Sequence, residues 1–254
     1  MKVVAVPVRS DNYAYLLIDD ATANAAAVDP YDVGKVASAA SALGVKIVAG
    51  LTTHHHEDHS GGNKAFAEKY PGVPIYGGSS RIPALTNLVK DKDEFTVGHI
   101  SVKCLATPCH TQDSICYYVT DTVKKELPGG VFTGDTLFTG GCGRFFEGTA
   151  EEMDKALTYL GTLPDETVTY VGHEYTSGNA AFAWSVDSLN PDIARLVELA
   201  KENKITAGLT TIGDEKKWNV FMRLTDEAVR TATSQSSPIA VMDKLREMKN
   251  NFRG

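Results

Sequence analysis

The 254-residue chain predicts an α/β domain followed by a small all-α domain. Three observations carry this. Up to about residue 175, short β-branched and aromatic runs alternate with single helical stretches. From 176 onward helical periodicity continues with little β pattern between the helices. Several apolar runs of the first part also end in a histidine or an aspartate, which suggests strands delivering polar groups to one rim. The expected domains are therefore 1–175 and 176–254.

In chain order, VVAVPV (3–8), YAYLLI (13–18) and 25–28 read as strands. Residues 33–43 are Ala-rich, with apolar positions at helical spacing. KIVAGLTT (46–53) has the β-branched apolar character of a buried strand. Gly61 and Gly62 loosen the turn into a helix ending near Tyr70 and Pro71. Strands follow at 73–77, 93–97, 100–106, 115–120 and 131–133, then a helix at 149–160 and the strand VTYV, 168–171. Helices are expected at 177–189, 191–203, 225–233 and 238–250, with Pro191 and Pro238 at helix starts. Strand-rich blocks interrupted by single helices suggest two sheets with helices outside. Periodicity alone leaves that layering open.

Composition bounds the partners. A net charge of −7 disfavours a broad nucleic-acid surface, because it repels phosphate. No apolar run approaches the roughly 20 residues of a membrane span. The N-terminal MKVVAVPVRSDNYAY enters a strand pattern at once, without the apolar h-region of a secretion signal or the Arg-rich amphipathic look of an organelle presequence. A cytoplasmic location is therefore the expectation, and the chain is expected to be a monomer. Cys104, Cys109, Cys116 and Cys142 show no CxxC spacing and read as small buried residues in a reducing compartment.

The stretch THHHEDHSGG (53–62) carries the chemistry. Imidazoles and carboxylates this crowded call for a partner that neutralises charge and organises lone pairs, and a metal ion does both. In an extended segment His54 and His56 point the same way. The turn that follows lets Asp58 and His59 approach from another side, enough to supply two metals. Further candidates stand just past strands: His110 in TPCHT, Asp135 in FTGDT and His173 in VGHEYT. Taken singly, His110 or His173 would more often be a structural histidine, and Asp135 a turn or cap. Taken together, five of the seven histidines fall in this pattern, all but His55 and His99. That joint pattern points to a metal site.

HxHxDH with later His, Asp and His at strand ends resembles the metallo-β-lactamase superfamily. The segments THHHEDHSGGN, TPCHT, FTGDTLFTGGCGRFFEGTAEEM, VGHEYT, NVFMR and LREMKNNF narrow the resemblance to the glyoxalase II, or hydroxyacylglutathione hydrolase, family. It runs from DNYAYL to the last helix. The fold it implies is an αββα sandwich followed by an α-helical substrate-binding domain. It further implies two divalent ions, zinc foremost, with iron or manganese also found. His54, His56 and His110 would hold one ion and Asp58, His59 and His173 the other, with Asp135 bridging. A water between the ions would attack the thioester carbonyl, with Asp58 and Asp135 supporting it. A thiolate leaving group, of parent pKa about 8.5, needs little acid help.

The same resemblance assigns Arg144, Phe146, Tyr175, Arg246 and Lys249 to the glutathione part of the substrate. Independently, Arg246 and Lys249 share a helix face at i, i+3. Phe146 stands where many relatives have Tyr, so a hydroxyl contact to glutathione is expected to be missing. The reaction implied is hydrolysis of S-D-lactoylglutathione to D-lactate and glutathione, the second step of methylglyoxal detoxification. The alternative is a persulfide dioxygenase of the same fold with one iron. Asp58, His59 and His173 together favour the hydrolase. A metal-storing protein gives no reason for the glutathione-side matches. Of the remaining residues, His55 and Glu57 are expected to point away from the metals, and His99 to decorate a hairpin.

Overall fold

The computed structural model describes residues 1–253 and divides into two compact units. The first comprises Met1–Ala106 and Asp113–Gly134, the second Thr107–Gln112 and the chain from Asp135 onward.

In the first unit, β1 (Lys2–Val8), β2 (Asn12–Asp19) and β3 (Asn24–Val28) form an antiparallel meander. α1 (Val33–Leu43) then crosses over to β4 (Lys46–Leu51), which pairs parallel with β3, because parallel neighbours cannot be joined by a tight turn. Asp32 caps α1 by accepting from the Lys35 amide, and Gly44 closes it at φ 66°. α2 (Glu57–Ser60) and α3 (Asn63–Lys69) make the next crossover, to β5 (Ile75–Gly77) and its parallel neighbour β6 (Asn87–Leu88).

The strands β7 (Glu94–Val97), β8 (Ile100–Ala106), β9 (Ile115–Asp121) and β10 (Gly130–Gly134) pair antiparallel with one another in sequence order.

Every residue of β2 is buried, because both faces of its sheet are covered. Ala14, Leu16 and Ile18 pack with Val36, Ala40 and Phe66 of the helices. On the alternate face, Tyr15 meets Phe132 of β10 edge-on at 5.3 Å, and Tyr76 stacks on Phe95 at 4.0 Å. Tyr117 of β9 is fully buried and donates to the Thr52 carbonyl at 2.8 Å. This contact pins the end of β4, where the histidine cluster begins.

The second unit holds the short hairpin β11 (Leu137–Phe138) and β12 (Gly141–Cys142), α4 (Ala150–Leu160), β13 (Val168–Val171), and the helices α5 (Thr176–Val186), α6 (Pro191–Glu202), α7 (Ile212–Trp218), α8 (Glu227–Thr233) and α9 (Pro238–Asn251). Capping boxes at Thr149–Glu152 and Thr211–Asp214 start α4 and α7. Pro191 and Pro238 stand in the first turns of α6 and α9. Trp218 is fully buried beneath the Arg195 guanidinium, whereas Trp184 on α5 is half exposed. The elements expected from 177 on are present, but α7 and the hairpin were not anticipated. No helix among the described residues is long and apolar enough to cross a membrane.

Candidate metal centre and adjoining cleft

β4 delivers Thr52 and Thr53 to its C-terminal end, and the chain leaves as His54–His59. One residue organises this loop, Asp29, which directly follows β3. It is buried and accepts from the Thr53 amide (2.8 Å), the Thr53 hydroxyl (2.7 Å) and His59 Nδ1 (2.9 Å). It does so from the left-handed region at φ 45°. Such a backbone costs a non-glycine residue about 1–3 kcal/mol, and three hydrogen bonds converging on one carboxylate offset it.

These bonds set the imidazole tautomers. His59 Nδ1 carries the proton it gives Asp29, so its Nε2 keeps a lone pair. The Thr53 hydroxyl hydrogen is committed to Asp29, so the same oxygen accepts from His54 Nδ1 at 3.0 Å. That leaves His54 Nε2 as an acceptor, 3.2 Å from His56 Nδ1. Asp58 Oδ2 lies 3.7 Å from His59 Nε2 and accepts from Asn12 Nδ2 at 2.9 Å. Gly62 lies against the carbonyls of Pro30 and Tyr31, which leave no room for a Cβ. The loop is thereby seated on the Asp29 turn.

In the second unit, a single oxygen, Asp135 Oδ2, lies 3.4 Å from both His110 Nε2 and His173 Nε2. His110 Nδ1 is bonded to the Arg144 carbonyl at 3.0 Å, which again presents Nε2. Tyr175 stacks on His173 with ring centroids 4.7 Å apart and planes 9° from parallel, and Phe146 meets the His110 ring edge-on.

The structure thus groups the predicted donors as His54, His56, Asp58 and His59 in one unit and His110, Asp135 and His173 in the other. Imidazole nitrogens held as acceptors, with carboxylate oxygens beside them, are a donor set suited to divalent metals. Asp135 Oδ2 lies equally far from the Nε2 atoms of His110 and His173.

The remaining loop residues face elsewhere. His55 bonds to Asp113 at 2.8 Å, and exposed Glu57 pairs with Arg9. His99, at the β7–β8 turn, bonds to Asp19. All four cysteines are buried thiols. Burial pushes Cys104 and Cys109 up to about 12 and Cys142 to about 11, so they are unreactive.

A cavity of about 610 Å³ in the second unit is lined by His110, Asp135, Arg144, Phe146, Tyr175, Arg246 and Lys249, with the first turn of α5 completing its wall. Every residue assigned by resemblance to the glutathione side therefore shares one cavity with two of the metal-ligand candidates. Arg246 and Lys249 share this cavity but differ in exposure. The apolar face of α9 (Val241, Met242, Leu245) carries Arg246 inward to 8% exposure. There it donates to the Cys142 carbonyl at 2.9 Å and lies over the Phe221 ring. Lys249 remains partly open and donates to the Gly178 carbonyl at 2.6 Å. Burial and the neighbouring Arg246 lower its pKa to about 8.

Asp29, Thr53 and Asn12 were not singled out from the sequence. The available signal for Asp29 was an acidic residue directly after a strand, as for Asp135, but Asp-Pro also reads as an ordinary turn.

Comparison with known families agrees with this geometry. The metallo-β-lactamase superfamily model matches residues 16–173, which gives the class of fold and site. The model for the hydroxyacylglutathione hydrolase C-terminus matches residues 174–252. A protein of Schizosaccharomyces pombe named as a probable hydroxyacylglutathione hydrolase is 50% identical over 94% of this chain and 93% of its own. The cytoplasmic hydroxyacylglutathione hydrolase of Arabidopsis thaliana is 41% identical over the whole of both chains. Among solved structures, ETHE1 from Myxococcus xanthus superposes with a TM-score of 0.69 at 27% identity, over 99% of this chain and 91% of its own. The chain belongs to the hydroxyacylglutathione hydrolase family.

Proposed function

We propose that the protein hydrolyses S-2-hydroxyacylglutathione thioesters, S-D-lactoylglutathione foremost, to glutathione and the 2-hydroxy acid in methylglyoxal detoxification. His54, His56 and His110 would hold one divalent ion, and Asp58, His59 and His173 a second, with Asp135 shared; zinc is the proposed metal. The observation that carries this reading is the position of Asp135 Oδ2, at 3.4 Å from Nε2 of both His110 and His173. When bound, such ions supply a water acidified toward neutral pH and polarise the substrate carbonyl.

The chain's own residues supply the rest. Arg144 and Lys249 give the cavity a positive side for the glutathione carboxylates, and the N-terminal turn of α5 adds its dipole. Tyr175 and Phe146 offer ring faces beside His173 and His110. The departing thiolate needs no acid aimed at it. The proposed setting is a cytoplasmic monomer, its compartment supported by the name of the Arabidopsis relative.

The test is thioester hydrolysis measured together with metal content on the same preparation. Full activity with never more than one metal per chain would sink the two-metal assignment.

Lys249 and Arg246 should separate in kinetics. Lys249→Ala is expected to raise KM about tenfold with kcat nearly intact, because a charge-assisted bond is lost from ground and transition states alike. The difference should shrink as salt rises. It should also vanish as pH climbs through about 8, where the Lys249 ammonium of the wild type deprotonates. Arg246→Ala should instead lower the Tm, since it leaves the buried Cys142 carbonyl unpaired at a cost of about 1–3 kcal/mol. Steady-state kinetics and melting curves for both variants decide this. An unchanged KM in Lys249→Ala would remove it from the substrate site.

Asp29→Ala is expected to weaken metal binding about 10–100-fold, the usual cost of losing the group that orients a histidine ligand. Competition with a chromophoric chelator measures it. Wild-type affinity would show that His59 holds its orientation without Asp29.

A further inference from the structure

We propose that Glu215 is a positioning residue for the metal site: by holding the Gly140 amide it fixes the β11–β12 hairpin, and through it Asp135 and His110. This rests on the reading above that those two residues bind metal.

Glu215 lies on α7 and is completely buried. Its Oε2 accepts from the Gly140 amide at 2.9 Å and from Asn219 Nδ2 at 2.9 Å. No lysine or arginine pairs with it among the described residues, and burial raises its carboxyl pKa to about 7. A carboxylic group is costly to place there, so its position calls for an account.

The account lies in what it grips. The hairpin is a two-stranded sheet with two residues in each strand, too small to hold a fixed position by its own ladder. It is held from outside, residue by residue. Asn179 of α5 donates to the Thr139 carbonyl at 3.1 Å, and Glu215 takes the Gly140 amide. Asn219 donates to the Gly141 carbonyl at 3.0 Å, and Arg246 of α9 to the Cys142 carbonyl. Four consecutive residues are thus gripped by buried side chains from three helices and from Asn219, just past α7. The fit is close. A Cβ on Gly140 would overlap Leu196, and one on Gly141 would overlap Asn179.

Both ends of the hairpin run into metal-ligand candidates. Asp135 stands two residues before β11. After β12, Gly143 donates to the Thr136 carbonyl at 3.3 Å, and the Arg144 carbonyl holds His110 Nδ1. A Cβ at 143 would collide with the Asp135 carbonyl and come within 3.0 Å of His110 Nδ1. A hairpin displaced by a few tenths of an ångström therefore moves Asp135 and His110 with it. Glu215 touches neither and acts through backbone alone.

The test measures zinc affinity of the metal-free full-length chain by competition with a chromophoric chelator, alongside circular dichroism and melting. Glu215→Gln keeps an acceptor oxygen for the two donors and is expected to stay within about threefold of wild type. Glu215→Ala removes it and is expected to lose about tenfold or more, the range found when a group behind a metal ligand is deleted. The comparison is made at a temperature where circular dichroism shows the chain folded. Asn179→Ala, which releases the next hairpin residue from another helix, should weaken zinc binding in the same direction, and it answers the question if Glu215→Ala does not fold. Variants that melt earlier yet bind zinc as the wild type does would overturn the positioning role and leave Glu215 a packing residue. A wild-type chain that takes up no zinc would overturn the metal reading itself, and the positioning role with it.

Discussion

Asp135→Asn is expected to lower turnover by more than about 100-fold, equivalent to about 2.7 kcal/mol of barrier, and to leave metal binding weak or uneven. The substitution keeps the shape of the side chain. It replaces a charged oxygen that faces two imidazole nitrogens at equal distance with a neutral amide that cannot offset charge shared by two cations. Turnover and metal per chain should be measured on the same sample, with melting as a control for folding. If activity and metal content both stay at wild-type levels, the bridge lies elsewhere.

Removing the metals with a chelator should abolish thioester hydrolysis and lower the Tm by about 10 °C. The second figure follows from linkage. Ligand present at about 1,000 times its dissociation constant stabilises the native state by about 4 kcal/mol, and for a chain of this size each kcal/mol shifts the Tm by a few degrees. His54 and His59 are almost fully buried, so the proposed ligands are held inside the fold that metal binding would stabilise. Adding zinc back should restore both quantities. Indifference of both to the chelator would refute a metal-dependent enzyme.

The sequence revealed best what repeats or clusters. β4 could be recognised because the apolar run IVAGL leads into the histidine cluster, and α6 and α9 because proline marks their starts. The candidate metal donors stood out as histidines and acids at strand ends. Other features carry no such pattern. The two-residue strands of the β11–β12 hairpin are shorter than any period. α7 is a polar seven-residue helix, and only its Thr211–Asp214 box announces it. Asp29 is recognisable as the hub of the histidine loop only once β3 and β4 lie side by side, because Thr53 and His59 reach it across 24 and 30 residues of sequence. The burial of Arg246 is not legible from its place near a helix end, where charge is usually solvated. The tertiary packing of α9 decided otherwise.

Both tryptophans of the chain, Trp184 and Trp218, lie on helices of the second unit. Intrinsic tryptophan fluorescence is therefore a reporter of that unit alone. Trp218, sealed from water, should emit at short wavelength, and half-exposed Trp184 at longer wavelength. Unfolding confined to the sheets that carry His54–His59 would leave this emission unchanged while far-ultraviolet circular dichroism fell. A mismatch between the two transitions would show the units separating. A single tryptophan placed by mutation in the first unit, at Tyr76 where it could stack on Phe95, would make each half optically visible in its own right.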